Sequence, residues 1–484
     1  MKNLIFLTMF AGLLIACNEN DILQSEMPED SKQIILSQEE AISIAYDNPK
    51  TLTASEILAL VENFSTHNKS TKEKRETVAS ISKMFHIKFD SGKKTRDSSA
   101  NIDSIPIYEV KLVTDTTTGY AIVSADERSA GVLAYIEKGN HNKKNETGAS
   151  MMLDLAEATT ISEIMNVEKL KSTLREKTLN KIAKTLGVDS IKYNEIKDLI
   201  KIKDEKGETR SPAYDRPLSS IQSYIMPVTK TEWSQNSPYN LLLPQSYDPI
   251  FHSLMHYPAG CGVIAAAQTL AVIAPSMNIG DTLAIDWDYL KENTQINWDP
   301  YFGGEREKAM MASALIKFIY NETNTTPVID ESYEYGPYED TTIPCVKSSS
   351  TQTTNLLNFL KRYVSCGTFY NKYAPDPLLT TLNLNNSMFV GSKPCVAIMG
   401  GVRAATDQTS EKGSHAWVID GYAICTKTTR EILKNFDLYF HANMGWDGTD
   451  SGFYKVNADT SIDFETKLGT YNLNMWEITE IHSY

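Results

Sequence analysis

The segment "YPAGCGVIAAAQTLA" at residues 257–271 constrains the fold more than any other part of the chain. It sets a cysteine, Cys261, between two glycines and follows it with small, apolar residues that are compatible with a helix. Alanine-rich helices carry no broad polar face and allow close approach, so this helix is expected to lie deep inside a domain. With 484 residues, the chain is expected to form two or three domains.

Cys261 has two interpretations at this point. Most free cysteines are small core residues. A cysteine at a helix start, however, faces unpaired backbone N–H groups and the positive end of the helix dipole, which favour the thiolate. A nucleophilic thiolate also needs a base, usually a histidine. His415 in "EKGSHAWVIDGY" follows a polar loop and opens an apolar strand, but its position alone favours an ordinary structural histidine.

Three further residues could complete a site around this pair. Asn443 in "HANMGWDGTDSGFY" ends a predicted strand, and its carbonyl could accept the second N–H of a histidine. Trp446 in the same segment could shield that bond from water. Gln235 in "TEWSQNSPYN" could donate its amide to an oxyanion beside the Cys261 N–H. Each of these taken singly is an ordinary loop residue.

Taken together, in the order Gln, Cys, His, Asn, these segments resemble the streptopain family of secreted bacterial cysteine peptidases, a branch of the papain-like fold. The resemblance extends to "YGP" at residues 335–337 and to "GSHAWVIDG". It implies an α+β fold in which a helical subdomain packs on an antiparallel sheet across a cleft. One departure is Met444, which stands where relatives have a tryptophan.

The resemblance also implies a role for each matching position. The implied catalytic residues are a nucleophile, a general base and acid, an orienting residue and an oxyanion-hole donor, respectively Cys261, His415, Asn443 and Gln235. The implied supporting and substrate-binding residues are Trp446, Tyr335, Gly336 and Gly413. Such a mechanism acts on protein or peptide substrates and needs no metal or organic cofactor.

The pattern of residues predicts helices first and strands later in this second region. Helices are expected after Cys261 and near residues 305–323 and 351–364, and strands near 394–401, 415–424, 436–446 and 452–457. In the first region, "SQEEAISIAYDNPK" is typical of a helix start, and strands are expected in "SIPIYEVKLV" and "YAIVSADERSAGVLAYIEKG".

The first region resembles the inhibitory propeptide of the same family, through "EEAISIA" and "GYAIVSADERSAGVLAY". We therefore expect a propeptide domain at 32–165 that inhibits the peptidase within the same chain. A helical region and linker with the activation site is expected at 166–220, because the chain there becomes lysine-rich and ends in a polar run with glycine and prolines. The peptidase domain is expected at 221–484.

The first residues, "MKNLIFLTMFAGLLIACNEN", have the layout of a secretory signal. A small residue before Cys17 resembles the lipobox of bacterial lipoproteins, which predicts a signal peptide at 1–16, lipidation of Cys17 and a tether at 17–31. An ordinary cleaved signal is the alternative. The expected location is the cell envelope or outer membrane, held by lipid alone, and the sequence leaves open a later release.

Composition excludes other classes of partner and site. The net charge of -14 disfavours nucleic acid, which binds basic surfaces. Cys345, Cys366, Cys395 and Cys425 lack the C-x-x-C spacing of a zinc site and are expected to be buried thiols. His252 and His256 could share a helix face, but no catalytic glutamate accompanies them.

Two rival functions stay open. A cell-wall amidase or a transglutaminase-like acyl transferase could use the same cysteine–histidine pair, although the propeptide-like region argues against both. A surface lipoprotein that binds protein through a decayed peptidase fold is favoured only by Met444.

Overall fold

The computed structural model describes most of the chain, and every structural statement below refers to that part. The residues it describes are 33–65, 77–90, 102–141, 148–203, 209–210, 219–248, 250, 252–279, 283–299, 301–331, 343–367, 369–372, 384, 393–403, 413–426, 436–456 and 473–484. The predicted signal peptide, tether and lipidation at Cys17 therefore lie outside the described residues, as do Tyr335, Gly336 and most of the expected activation site.

The helices differ greatly in length and burial. Their bounds are α1 Gln38–Ala45, α2 Ala54–Ser65, α3 Gly148–Leu186, α4 Tyr193–Ile196, α5 Cys261–Ile273, α6 Trp287–Lys291, α7 Arg306–Glu322 and α8 Thr353–Leu360. The start of α1 is fixed by a capping box, in which Ser37 and Glu40 each bond the other's backbone N–H, at 3.2 and 3.0 Å. The helix predicted from the Ser37 segment is therefore present.

The strands are of two kinds, long ones in a main sheet and short ones in local pairs. Their bounds are β1 Ile34–Ser37, β2 Val78–Asp90, β3 Ile102–Val113, β4 Thr118–Ser124, β5 Gly131–Ile136, β6 Ile200–Lys203, β7 Thr209–Arg210, β8 Ile221–Ile225, β9 Gln245–Asp248, β10 Ser253–His256, β11 Asn278–Ile279, β12 Leu283–Ala284, β13 Trp298–Asp299, β14 Gly303–Gly304, β15 Thr326–Ile329, β16 Val346–Ser350, β17 Phe369–Lys372, β18 Cys395–Arg403, β19 Gly413–Thr426, β20 Phe436–Asn443, β21 Gly452–Val456 and β22 Leu473–His482. The predicted α+β class is confirmed.

One antiparallel sheet joins the two regions of the chain. Its order is β17-β22-β18-β19-β20-β21-β5-β4-β3-β2, and β8 pairs with β19 beside this path. The junction lies between β21 and β5, where Phe453 pairs with Tyr135 and Tyr454 with Ala134. Backbone hydrogen bonds of the sheet therefore run without a break from the expected propeptide into the expected peptidase.

One face of this sheet packs against α3. Side chains alternate between the two faces of a strand, and on β19 Trp417 and Ile419 join the core beneath α3. That core also holds Ile122 of β4 and Phe440 of β20, so it spans both regions. The helix is buried almost throughout its first 14 residues, Gly148 to Ile161, and only at scattered positions after them. Its first half is thus an interior element.

The opposite face is covered by two separate helical layers. Helix α5 packs on β18 and β19 at one end, α7 and α8 pack on α5, and the core they share includes Val418 of β19 and Ile398 of β18. Helix α2 packs on the strands at the other end, and its core includes Phe64, Tyr135 and Tyr439. In the second region, α5, α7 and α8 therefore precede the long strands β18 to β22, as predicted, and all three helices lie on the side of the sheet opposite α3.

A fourth core joins β1 and α1, which precede strands β2 to β5 in the chain, to α3 and β6, which follow them. Strand β1 pairs in parallel with β6, and Leu36 of β1 packs with Ile182 of α3 and Ile202 of β6. Helix α3 runs without interruption through residue 165, where the propeptide domain was expected to end. The segment 166–203 packs with the N-terminal elements.

Candidate active site

The entry to α5 is shaped for glycine. Gly260 has φ of 90°, in a region that other residues rarely adopt, and a Cβ there would lie 2.8 Å from the carbonyl oxygen of Ser349. The chain can therefore turn sharply into the helix only because this residue has no side chain. Cys261 is the first residue of α5, as predicted, with its sulfur at the end that presents free backbone N–H groups.

The Cys261 thiol is half-buried, and opposing effects act on its proton. Burial raises the pKa of the thiol, whereas the backbone N–H groups of Ala416 and Gly262 lower it by pointing at the sulfur. Burial outweighs the N–H groups, so the thiol is protonated in this form. The N–H of Ala416 also shows that the sulfur reaches the first residues of β19.

His415 lies on the face of β19 that α3 covers. It is two residues before Trp417, so both side chains point to the same side of the sheet. Only 4% of the residue is exposed. Burial lowers the pKa of the imidazole to about 4, against an ordinary value of 6.5, and the hydrogen bond to the Met444 carbonyl partly opposes that shift. His415 is therefore neutral near pH 7.

One ring nitrogen of His415 has two partners of opposite kind. Nε2 lies 2.8 Å from the carbonyl oxygen of Met444 and 3.1 Å from Nε1 of Trp446. A protonated Nε2 donates to Met444, whereas a bare Nε2 accepts from the indole N–H, so the two contacts belong to alternative tautomers. The indole also stacks on the imidazole, with ring centres 5.6 Å apart. Trp446 therefore contacts the imidazole itself, whereas the sequence suggested that it shields a bond between His415 and Asn443.

Asn443 directly precedes the Met444–Trp446 turn that contacts His415, but its own side chain is bonded elsewhere. Its carbonyl oxygen accepts from Nε2 of Gln268 and from the backbone N–H of Gly445, both at 3.1 Å. Its amide donates to the carbonyl oxygen of Thr231 at 3.0 Å. No hydrogen bond joins Asn443 to His415 in the described structure, and none joins His415 to Cys261.

Gln235 lies beside the entry to α5. Its carbonyl oxygen accepts the N–H of Ala259 at 2.9 Å, two residues before Cys261. Its side chain is nearly buried and has no hydrogen-bond partner among the described residues, so the amide is available to a ligand. Gly413, the remaining predicted binding residue within the described structure, opens β19 and pairs with Arg403.

The first residue of α3 closes the site. A Cβ on Gly148 would lie 2.5 Å from Cδ2 of His415, 2.9 Å from the sulfur of Met444 and 3.0 Å from Cε3 of Trp417. The backbone of α3 therefore rests directly on the imidazole edge. Met444 fills the space beneath this contact and is itself 1% exposed. Its sulfur and its carbonyl thus touch α3 and His415, respectively.

These contacts place the Cys261 thiol and the Gln235 segment at the N-terminal end of α5, bring the residue after His415 to the sulfur, and tie Asn443 to the same helix through Gln268. Residues 233–454 match the model of the peptidase C10 family. The chain is also 22% identical to streptopain of Streptococcus pyogenes serotype M1 over 367 residues, which are 71% of this chain and 72% of the relative. Streptopain of Streptococcus pyogenes is 22% identical over 369 residues, again 71% and 72% of the two chains. Residues 233–454 are therefore similar to a peptidase C10 domain, and the similarity to streptopain extends beyond those residues.

Other candidate residues lie outside this site. Cys395 and Cys425 are buried free thiols, and Cys345 and Cys366 are free and partly buried. His256 lies in strand β10 rather than in a helix, and its Nδ1 contacts the carbonyl oxygen of Leu243 at 2.7 Å. Within the described residues, no group of His, Cys, Asp and Glu could hold a metal ion, and no helix is long and apolar enough to cross a membrane.

Three contributions to the site were missed by sequence reasoning. Gln268 is a polar residue in an otherwise apolar helix, seven positions after Cys261, and that exception was a usable signal. The Met444 carbonyl gives no signal, because every residue has one. Gly148 gives none either, since its contact with His415 depends on how α3 packs.

Proposed function

We propose that this protein is a cysteine endopeptidase made as a zymogen. The observation that carries the proposal is Cys261 at the first position of α5, with its sulfur within reach of the β19 backbone next to His415. The peptidase C10 match supports a cysteine peptidase. Its substrates are proteins or peptides, as expected for this chemistry.

The catalytic steps follow from the residues around Cys261. The thiolate attacks the peptide carbonyl, and the resulting oxyanion is held by the Cys261 N–H and the Gln235 amide. His415 gives its proton to the leaving amine, and then activates the water that releases the acyl group. Trp446 stacks on the imidazole and keeps it in place, and Asn443 orients it through the turn that carries the Met444 carbonyl and Trp446.

The described form has the features of a latent enzyme. His415 is buried and neutral, Cys261 is protonated, and Gly148 occupies the edge of the imidazole. A thiolate–imidazolium pair needs both groups to be hydrated or facing each other. Activation therefore requires the start of α3 to move away from His415, after cleavage in the linker between β6 and β8.

Export as a lipoprotein is the second part of the proposal. The apolar start and the small residue before Cys17 support it, and the lipid would hold the protein at the cell envelope. Labelled palmitate incorporated by wild type but not by Cys17→Ala tests this part, and incorporation by both variants would contradict it.

A labelling experiment tests the peptidase. Residues 18–484 are prepared as wild type, Cys261→Ala and Cys366→Ala, nicked with limited trypsin, and treated with an epoxide selective for papain-like thiols. Cys366 is the matched control because it is another half-buried free thiol, and burial raises its pKa to about 11. We expect one label on wild type and on Cys366→Ala, and none on Cys261→Ala. Without epoxide, wild type and Cys366→Ala should cleave denatured protein, and the epoxide should abolish that cleavage.

The same preparations separate the rivals. Release of fragments from murein but not from denatured protein would favour the cell-wall amidase. Wild type that is neither labelled at Cys261 nor active on either substrate after nicking would overturn the proposal and favour a binding lipoprotein.

A further inference from the structure

Gln268 is a fully buried polar residue on the same helix as Cys261. Its exposure is 0%, in a helix whose buried positions are otherwise almost all apolar or small. It lies seven residues after Cys261, which is close to two helical turns, so both residues project from nearly the same side of α5. A buried amide is costly unless its donors and acceptor are paired.

Both the oxygen and the nitrogen of the Gln268 amide have hydrogen-bond partners. Its Oε1 accepts the backbone N–H of Trp233 at 3.1 Å and contacts the Thr231 hydroxyl at 3.4 Å. Its Nε2 donates to Oδ1 of Asn443 at 3.1 Å. The orientation of the amide is determined by chemistry, because a backbone N–H can only donate and therefore must face Oε1.

That orientation fixes Asn443 in turn. With Nε2 of Gln268 facing it, the Asn443 atom in contact must be the carbonyl oxygen, which also accepts the N–H of Gly445 at 3.1 Å. The Asn443 amide then donates to the carbonyl of Thr231 at 3.0 Å. Three chain segments thus meet in one closed network around Gln268.

Each segment carries a group of the proposed reaction. Helix α5 carries Cys261. The segment from Thr231 through Trp233 leads directly to Gln235. The turn after Asn443 carries the Met444 carbonyl and the Trp446 indole, and both contact Nε2 of His415.

We propose that Gln268 is the positioning residue that holds the nucleophile helix, the Gln235 segment and the His415 partners in register through Trp233 and Asn443. This inference rests on the proposed cysteine peptidase function. Gln268 does not touch a substrate, and it acts through Asn443. Misplacement of reacting groups by about 1 Å can lower turnover about 100-fold, so small shifts in this network are expected to matter.

The test compares Gln268→Ala and Gln268→Glu with a neighbour that shares the helix and the burial. Thr269 is that neighbour, because it is 0% exposed and its hydroxyl has no hydrogen-bond partner among the described residues. The nicked enzymes are compared by kcat. The concentration of active sites in each preparation is counted by epoxide titration of Cys261 in a separate sample, so that misfolded protein is left out. We expect Gln268→Ala to lower kcat about 100-fold with KM nearly unchanged, and Thr269→Val to match wild type.

The dependence of kcat on pH in Gln268→Glu is a measurement that a merely structural role of Gln268 would not change. A protonated glutamic acid can accept from Trp233 and donate to Asn443, as the amide does, whereas a carboxylate would face the Asn443 oxygen without a proton. The partners of Gln268 are uncharged, so no cation holds the carboxylate ionised. We expect Gln268→Glu to approach the wild-type kcat at acidic pH. As the pH rises, its kcat should fall at a lower pH than that of wild type.

A double variant examines the route through Asn443. If Gln268 acts through Asn443, then Gln268→Ala combined with Asn443→Ala should be no slower than the slower single variant. Additive losses, or Gln268 variants whose kcat and pH profile equal those of Thr269→Val, would overturn the inference. Wild type that is not labelled at Cys261 would instead contradict the proposed function, so the two failures are distinguishable.

Discussion

The core around α5 and the core beneath α3 are built from different parts of the chain. On the α5 face, every described member of the core comes from residues 228–481, including Val418, Ile398 and the helices α5, α7 and α8. On the α3 face, the core is shared, and Trp417, Phe440 and Met444 pack against Met152 and Leu155 of α3. One half of the peptidase thus packs with its own residues, whereas the other half needs the N-terminal region.

This difference distinguishes a propeptide that can be removed from one that forms part of the enzyme's fold. A removable inhibitor would meet the enzyme through a modest and largely polar interface. Here a shared sheet, a shared apolar core and the buried bond from the Tyr439 hydroxyl to the Val132 carbonyl, 2.7 Å long, join the two regions. Cleavage of the linker alone is therefore expected to leave them associated.

Deleting the N-terminal region should give the largest effect. Residues 219–484 expressed alone expose the apolar α3 face of the sheet and the edge of β21, so we expect aggregation or a loosely packed state. Co-expression with residues 33–203 should restore a soluble complex, measured by size-exclusion chromatography and thermal melting. A monomeric 219–484 fragment that melts cooperatively would contradict the shared core.

The next largest effect is expected at Lys455, which is 1% exposed. Its ammonium lies 3.1 Å from Glu163 of α3 and 3.2 Å from Asp437 of β20. Lys455→Ala removes the cation between two carboxylates, and we expect it to lower the free energy of unfolding by about 3–5 kcal/mol.

The control is an exposed ion pair between the end of α7 and the residues just after α8, in the self-packed half. Arg362 and Glu322 are 2.6 Å apart and 47% and 36% exposed. Arg362→Ala should lower the free energy of unfolding by about 1 kcal/mol or less in urea titrations. Equal losses for the two variants would show that the Lys455 contacts add nothing across the junction.

Gly148→Ala should give a smaller but functional effect. The added methyl group meets His415, Met444 and Trp417 at 3.0 Å or less, and overpacking of this kind costs about 1–3 kcal/mol. The start of α3 should therefore leave His415 more often, and the un-nicked protein should label faster at Cys261.

Gly187→Ala is the matched control at the other end of α3. Gly187 has φ of 73° and nothing within 4 Å of the added Cβ, so it loses a similar amount of stability through backbone strain. Its labelling rate should stay at the wild-type value. A Gly148→Ala protein that labels no faster than Gly187→Ala would show that Gly148 does not control access to the site.

The smallest effect is expected from pH, because two groups oppose each other. The pKa of His415 is lowered to about 4 under α3 and should return toward 6.5 when uncovered, so the covered state is favoured above pH 6.5 and weakens as pH falls toward 4. Burial raises the pKa of Asp450 to about 6 from 3.8, so its protonation stabilises the junction between the two regions as pH falls. Labelling of un-nicked wild type should therefore rise only modestly on acidification.

Asp450→Asn removes the opposing group and should sharpen the response. Asp450 lies 3.4 Å from the Tyr120 hydroxyl of β4, at the junction of the two regions. In this variant, labelling between pH 7 and 4 should rise more steeply than in wild type. An equal or shallower rise would mean that His415 does not control the uncovering.

Sequence patterns predicted the elements that carry a local signal, such as glycines at a helix start or turn residues at strand ends. The helix after Cys261 was found from its glycines, and β18 to β21 were found from apolar runs bounded by turns. The first half of α3 was missed, because "GASMMLDLAEATTISE" is buried on nearly every side and shows no helical period. The separation of Asn443 from His415 could not be read from motifs, since it depends on Gln268.

By itself, the sequence determined the chemistry of the chain. Glycines around Cys261, an imidazole before a strand and amides in loops are local properties, and local residue types specify which groups are available. Tertiary structure alone decided which of them meet. The position of Gly148 on His415, the network around Gln268 and the sheet shared between β5 and β21 join residues far apart in the chain, and such contacts are set by packing and hydrogen bonding in the whole fold.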